Sequence, residues 1–224
     1  MKLVTRLLSY ITDFHIESAQ SDFNGHLHVY LSKGRYQLCT DNAIYSFGDL
    51  YDNYSESFKK IPLKILNNAE VLLLGFGLGS IPFMLEKKFS VRAYYTGVEI
   101  DPEVIRLASR YVLPDLQSRI ELVESDAAIY LHWNDHKFDL IASDIFVDDK
   151  IPEHFLDIEY LKLLKAHLTS AGFVMLNMLY KTEADRQLAD QFYHQKFKAV
   201  FTDAAFIRIR NNVMLVSQAS VLCK

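Results

Sequence analysis

Short apolar runs recur through the middle of the chain, most ending on a glycine, serine or carboxylate and then giving way to apolar residues at every third or fourth position. Val71–Gly75, Tyr94–Glu99, Ile120–Val123, Phe138–Ser143 and Phe173–Asn177 read as strands. Their near-continuous apolar character fits strands covered on both faces, and their alternation with helical periodicity predicts a parallel sheet joined by crossover helices. Helices are expected from about Ser80, from Asp101-Pro102-Glu103, after Asp126, and near Phe155–His167. The Asp101-Pro102 pair is the most definite of these starts, because a capping carboxylate precedes a residue whose φ is already helical. Toward the end, Phe206–Arg210 and Val213–Gln218 flank Asn211-Asn212 and predict an antiparallel hairpin added to the parallel sheet.

The first fifty residues have a different period. His26–Leu31 and Tyr36–Thr40 alternate around Ser32-Lys33-Gly34, which predicts a small hairpin. Between Ile44 and Phe58 the tyrosine-rich sequence fits either an aromatic loop packed on the main domain or a substrate lid. The expected division is a small N-terminal β domain with a lid over residues 1–55 and an α/β domain over residues 56–224. The fold class is therefore α/β, a Rossmann-like sheet that is mostly parallel with a C-terminal antiparallel hairpin.

Composition narrows the function classes. Half of the 224 residues are apolar, enough to build a core without disulfides or metals. A net charge of -4 gives no electrostatic footprint for nucleic acid, so a small molecule is the expected partner. Cys39 and Cys223 are far apart and lack ligand spacing, and no apolar window reaches the length of a membrane span; a cytoplasmic protein is expected. His132 and His136 have helical spacing, but Trp133-Asn134-Asp135 reads as a helix end and no acidic third ligand is indicated, so no metal site is expected.

The candidate chemistry lies at the strand ends. In Gly75-Phe76-Gly77-Leu78-Gly79-Ser80 a buried strand runs through alternate glycines into a helix, whose amino end offers free N–H groups to a ligand. Glu99 closes the next strand, where a carboxylate can accept both hydroxyls of a ribose. Asp126 follows the third strand, beside Ala127, and can receive an adenine amino group; it is equally suited to capping the next helix. Asp144 ends the fourth strand and can orient or deprotonate an amine nucleophile, or simply bond the following loop. Asp148 and Asp149 crowd that loop and would attract a cationic substrate. Each feature has an ordinary structural explanation, but together they fall on the rim where open α/β sheets bind ligands. A dinucleotide site is the weaker alternative, since Ser80 stands where the third glycine of Gly-x-Gly-x-x-Gly would be.

From Val71 to about Asn177 the chain resembles the spermidine synthases, class I S-adenosylmethionine-dependent transferases. The resemblance rests on the glycine turn, Val98-Glu99-Ile100-Asp101-Pro102-Glu103-Val104-Ile105, Tyr111 with Leu113-Pro114, Arg119-Ile120, Asp126, and Phe138-Asp139-Leu140-Ile141 through Asp144. Ser21-Asp22-Phe23, Leu27-His28-Val29 and Tyr54-Ser55-Glu56 are similar to the family's small β domain and its Tyr-x-Glu element. The resemblance implies S-adenosylmethionine or its decarboxylated form as cofactor, held by Gly75, Gly77, Gly79, Glu99, Ile100, Asp126 and Ala127. It implies Asp144 as the catalytic group, Tyr54 and Asp148 at the acceptor, and a homodimer. The reaction implied is methyl or aminopropyl transfer to a small-molecule acceptor such as an amine, with a nucleoside-binding module lacking catalysis as the alternative. The chain also departs from the family's pattern. Leu78 replaces an aspartate that grips the ligand's amino group, Tyr45 stands for a glutamine, Ser55 for His or Gln, and Asp144-Ile145-Phe146-Val147-Asp148 for Asp-Ser-Ser-Asp-Pro. Leu78 favours methyl transfer, or an altered acceptor, over aminopropylation of putrescine.

Overall fold

The computed structural model describes residues 3–41 and 43–223. A short helix, α1 (Leu3–Leu8), leads into an antiparallel sheet of four strands in sequential order: β1 (Phe14–Ser21), β2 (Gly25–Ser32), β3 (Arg35–Cys39) and β4 (Ile44–Ser46). The expected hairpin is thus the centre of a larger sheet. Its turn is Lys33-Gly34, with φ of 49° and 73°, and Ser32 pairs with Arg35. Two successive positive φ values give the turn the twist that antiparallel strands need. Leu27, Val29 and Leu31 alternate inward along β2 and are fully buried.

The tyrosine-rich stretch is not a loop. After β4 and a turn of 3₁₀ helix at Gly48–Leu50 it forms α2 (Asp52–Phe58), which packs on the C-terminal hairpin. The boundary expected after Ser55 falls inside α2. Ser55 itself is buried, and its hydroxyl accepts a hydrogen bond from the Lys88 ammonium at 2.6 Å.

The large sheet contains β5 (Glu70–Leu74), β6 (Tyr94–Glu99), β7 (Arg119–Glu124), β8 (Phe138–Ser143), β9 (Leu168–Leu179), β10 (Ala205–Ile209) and β11 (Asn212–Val216), in the order β10-β11-β9-β8-β5-β6-β7. Pairing is parallel from β7 through β9 and antiparallel for β11 and β10. The crossovers are α3 (Ser80–Lys87), α4 (Pro102–Tyr111), α5 (Ala127–Trp133) and α6 (Ile158–Ala166), and α7 (Glu183–Phe192) leads toward the hairpin. Alternation along β5 divides the core in two. Val71 and Leu73 join the layer that includes α3, α4 and the small domain, while Leu72 and Leu74 join the layer of α5, α6 and α7. Such two-sided burial explains why these strands read as unbroken apolar runs.

Several boundaries differ from expectation for local reasons. The helix expected over Phe155–His167 is broken at Asp157, which is extended (φ -98°, ψ 155°), so a 3₁₀ turn precedes α6. The C-terminal hairpin turns at Arg210-Asn211, one residue earlier than expected, because Asn212 is buried and pairs with Leu179 of β9. Unforeseen α7 opens with a capping box: the Thr182 hydroxyl accepts the Asp185 N–H and the Asp185 carboxylate accepts the Thr182 N–H. No helix among the described residues is long and apolar enough to cross a membrane.

The small sheet is fastened to α4. Asp101 caps α4 through the Glu103 N–H and, although buried, also accepts the Ser21 hydroxyl at 2.5 Å and the Asn24 amide at 2.7 Å. On β1, Glu17 receives Arg106, Arg110 and the Tyr111 hydroxyl of α4. These donors, led by Tyr111, hold its carboxyl below the usual range. Three hydrogen bonds to one charged group, in a partly buried place, fasten β1 to α4.

Candidate active site

The carboxyl ends of β5, β6, β7, β8 and β9 open into one cavity of about 690 Å³, roofed by β4 and the β1–β2 turn of the small sheet. Gly75, Gly77, Glu99, Ile100, Asp126, Ala127, Asp144 and Asp148 all contribute to its wall. Gly79 and Tyr54 do not line it.

The glycine turn follows from contacts within the protein as much as from room for a ligand. A Cβ on Gly75 (φ 83°) would lie 2.3 Å from the Asp144 carbonyl oxygen, so β5 and β8 could not leave the sheet side by side. Gly79 (φ 79°) ends the turn at the start of α3, and a Cβ there would meet the Phe76 ring at 2.9 Å. It is needed by the turn. Leu78 packs in the core, is 1% exposed and does not line the cavity. Beside Gly77, the Ser46 and Ser80 hydroxyls are 2.7 Å apart and Ser80 also accepts the Phe47 N–H, joining β4 to the start of α3.

Glu99 reaches under this turn. One carboxylate oxygen accepts the Phe76 and Gly77 N–H groups at 3.1 and 3.2 Å, and the other accepts the Asp101 N–H at 3.2 Å. Burial nevertheless pushes its pKa above the usual carboxylate value, with those bonds opposing. Three of roughly four lone-pair positions are thereby used. One ribose hydroxyl fits this arrangement, and a second requires one backbone donor to yield. Asp126 is a helix cap with one oxygen left toward the cavity. Its Oδ1 caps α5 through Ala128 and Ile129, while Oδ2 lies 3.9 Å from the His154 imidazole across the cavity.

At the other end, Asp144 Oδ1 accepts the Asn177 amide at 2.8 Å, and Asn177 Oδ1 accepts the Asn212 amide at 3.1 Å. The Tyr51 side chain faces the same carboxylate and helps to hold its pKa down. Burial pushes the Asp144 pKa up to about 6, against those two groups. Asn177 and Asn212 escaped sequence reading, being 35 residues apart on strands whose antiparallel pairing was not assigned in register. Tyr51 was also missed, and Tyr54 was expected in its place. Tyr54 is fully buried and donates to the Ser143 carbonyl at 3.2 Å, whereas Tyr51, the residue before α2, lines the cavity.

The loop after β8 closes the roof. Asp148 (φ 55°) donates its N–H to the Tyr45 hydroxyl and accepts Thr40 Oγ1 at 2.9 Å, and Tyr45 donates to Asn24 at 2.9 Å. A chain of polar contacts therefore runs from Asp101 through Asn24 and Tyr45 to Asp148. Among the described residues there is no cluster of three or more His, Cys, Asp or Glu side chains arranged for a metal ion.

With this geometry in place, similarity to known proteins becomes informative. The spermine/spermidine synthase domain matches residues 51–218. The chain belongs to that family. A polyamine aminopropyltransferase of Vibrio vulnificus is 31% identical over 56% of this chain and 45% of its own length. An eEF1A lysine and N-terminal methyltransferase homolog of Drosophila melanogaster is 27% identical over 58% of this chain and 21% of its own. The chain thus spans less than half the length of either relative. In fold, the family member superposes on a probable spermidine synthase from Corynebacterium glutamicum with a TM-score of 0.73, at 16% identity over 89% of this chain and 78% of that one.

Proposed function

We propose that the protein is a transferase that binds S-adenosylmethionine or its decarboxylated form and passes a methyl or aminopropyl group to a small-molecule acceptor held at Asp144. The observation that carries this reading is the convergence of the glycine turn, Glu99, Asp126 and Asp144 on one cavity. Adenosine fits the β5–β6–β7 side: the ribose reaches Glu99, and the base lies between Ile100 and Ala127 with its amino group toward Asp126. The cofactor supplies a carbon activated by sulfonium.

The acceptor lone pair attacks that carbon while the carbon–sulfur bond breaks, and the electron pair of that bond stays on the departing thioether. The attacking nitrogen, now positively charged, gives its proton to the Asp144 carboxylate. A carboxylate with a pKa near 6 accepts a proton more readily than an ordinary aspartate and is still ionised at neutral pH. Asn177 and Tyr51 hold that carboxylate in one orientation, and alignment contributes much of the rate in such a displacement. The matched aminopropyltransferase and methyltransferase relatives support both transfer chemistries.

The decisive experiment is calorimetric titration with S-adenosylmethionine, decarboxylated S-adenosylmethionine, methylthioadenosine and NAD, followed by turnover with the cofactor that binds. Binding of the first three in preference to NAD is expected. Tighter binding of NAD would overturn the reading. A nucleoside-binding module without catalysis would bind the same ligands and turn over none of the acceptors offered.

A further inference from the structure

The two sides of the cavity differ in charge. On the β5–β6–β7 side are Glu99 and Asp126. The tip of the loop after β8, with Asp148 and Asp149 both in the lining, reaches toward that side as well: Tyr45, which receives the Asp148 N–H, also bonds Asn24, the partner of Asp101, and feels the charges of Asp148, Glu99 and Asp101 together. Beyond Asp144, the wall formed by α2, β9 and β11 carries Asn53, Asn177, Asn211 and Asn212, and its charged member is Lys181. Asp52 of α2, the adjacent carboxylate outside the wall, is paired with Arg210. Lys181 makes no ion pair within 4.0 Å among the described residues. The carboxylate that feels its charge, Asp185, already accepts the Thr182 backbone N–H at the start of α7.

A diamine acceptor has a protonated far end that needs a carboxylate or an aromatic face. The far wall here offers amide groups and an ammonium. We infer that the acceptor is an amine with an anionic far end, an ω-amino acid or a compound of that shape, whose amino group faces Asp144 and whose carboxylate meets Lys181 and the flanking asparagine amides. The dimensions agree. Asn177 and Lys181 are four residues apart, at most roughly 13 Å at strand rise, and the lysine side chain can cover part of that span. Linear ω-amino acids of four to six carbons bridge the remainder.

This inference rests on the transferase reading for the role of Asp144, but its test does not need turnover. 4-Aminobutyrate, 5-aminovalerate and 6-aminohexanoate would be titrated against the intact protein beside 1,4-diaminobutane, 1,5-diaminopentane and 1,6-diaminohexane. Each titration would be run with and without methylthioadenosine. At least one amino acid should bind more tightly than its diamine counterpart. Lys181→Glu should then shift the ratio of the two affinities by about tenfold toward the diamine, since a lost attraction and a gained one act together. Methylthioadenosine affinity should remain unchanged, which also reports that the variant is folded. Tighter binding of every diamine by the unmodified protein would overturn the inference, as would an unchanged ratio in Lys181→Glu. Failure of methylthioadenosine to bind would instead count against the transferase reading, with the acceptor ratios still deciding this one.

Discussion

The nucleoside side of the cavity takes its groups from consecutive strand ends, each beside the turn that positions it: Gly75 and Gly77 at β5, Glu99 at β6, Asp126 at β7. The acceptor side is joined by hydrogen bonds between residues 33 and 35 positions apart, Asn177 to Asp144 and Asn212 to Asn177, with Tyr51 arriving from the segment that leads into α2. Local backbone geometry therefore specifies the first side, and tertiary packing specifies the second. A strand–glycine turn–helix unit has few alternatives once Gly75 must pass the Asp144 carbonyl, so its chemistry stays in fixed register. Nothing comparable constrains which side chain of β9 or β11 meets Asp144, and acceptor choice can change there without disturbing the nucleoside.

If that contrast is right, the two sides should separate under mutation. The largest loss of binding is expected from Glu99→Ala, which removes the ribose acceptor and also the internal partner of the Phe76 and Gly77 N–H groups. Methylthioadenosine affinity should fall by roughly 2–4 kcal/mol in calorimetry. Unaltered binding would break the assignment of the nucleoside side. Asp144→Asn should leave that affinity within about a factor of three while lowering turnover by about 100-fold, the scale of a lost general base. Affinity lost with saturated turnover unchanged would move Asp144 to the nucleoside side and dissolve the distinction.

The same contrast explains how much was legible in the sequence. The parallel sheet, its order of strands and helices, and the place of Glu99 and Asp126 at strand ends were readable because each rests on a short run: an apolar strand, a capping Asp101-Pro102, a glycine turn. The small sheet was underread. β1 (FHIESAQS) carries polar residues because one face stays exposed and its Glu17 points at α4. Two of the glycines answer to contacts that no local pattern shows, since a Cβ on Gly75 or Gly79 would meet the Asp144 carbonyl or the Phe76 ring. Tyr51 was invisible because a seven-residue helix in an aromatic stretch gives too little periodicity to say which tyrosine faces the site.

A smaller effect tests the electrostatics of the acceptor side without any ligand. Because burial raises the Asp144 pKa from 3.8 to about 6, the folded state binds this proton more tightly than the unfolded chain. The group's contribution to stability is present in full below pH 3.8 and is lost as the pH rises through 6. Asp144→Asn removes that loss. Urea unfolding should find the variant more stable than the parent by about 1–2 kcal/mol at pH 8, with the gap closing toward pH 4.5. An equal difference at both pH values would mean that the carboxylate is hydrated in the open cavity and that its pKa is ordinary.

The smallest expected effect distinguishes two tyrosines one helical turn apart. Tyr54→Phe removes a buried hydroxyl that donates to the Ser143 carbonyl, an oxygen at the edge of the β8 ladder, and should cost about 1 kcal/mol of stability. Methylthioadenosine affinity and the pH profile of turnover should not move, since Tyr54 is sealed from the cavity. Tyr51→Phe removes a hydroxyl that lowers the Asp144 pKa. Without it the carboxylate protonates at higher pH, so the acidic limb of the kcat/KM profile should shift upward by several tenths of a pH unit, with little change in stability. Cavity and core would then be separated over three positions at the start of α2. If Tyr54→Phe moves the acidic limb and Tyr51→Phe does not, α2 is rotated relative to this arrangement, and the Tyr-x-Glu element meets the acceptor as the family resemblance implied.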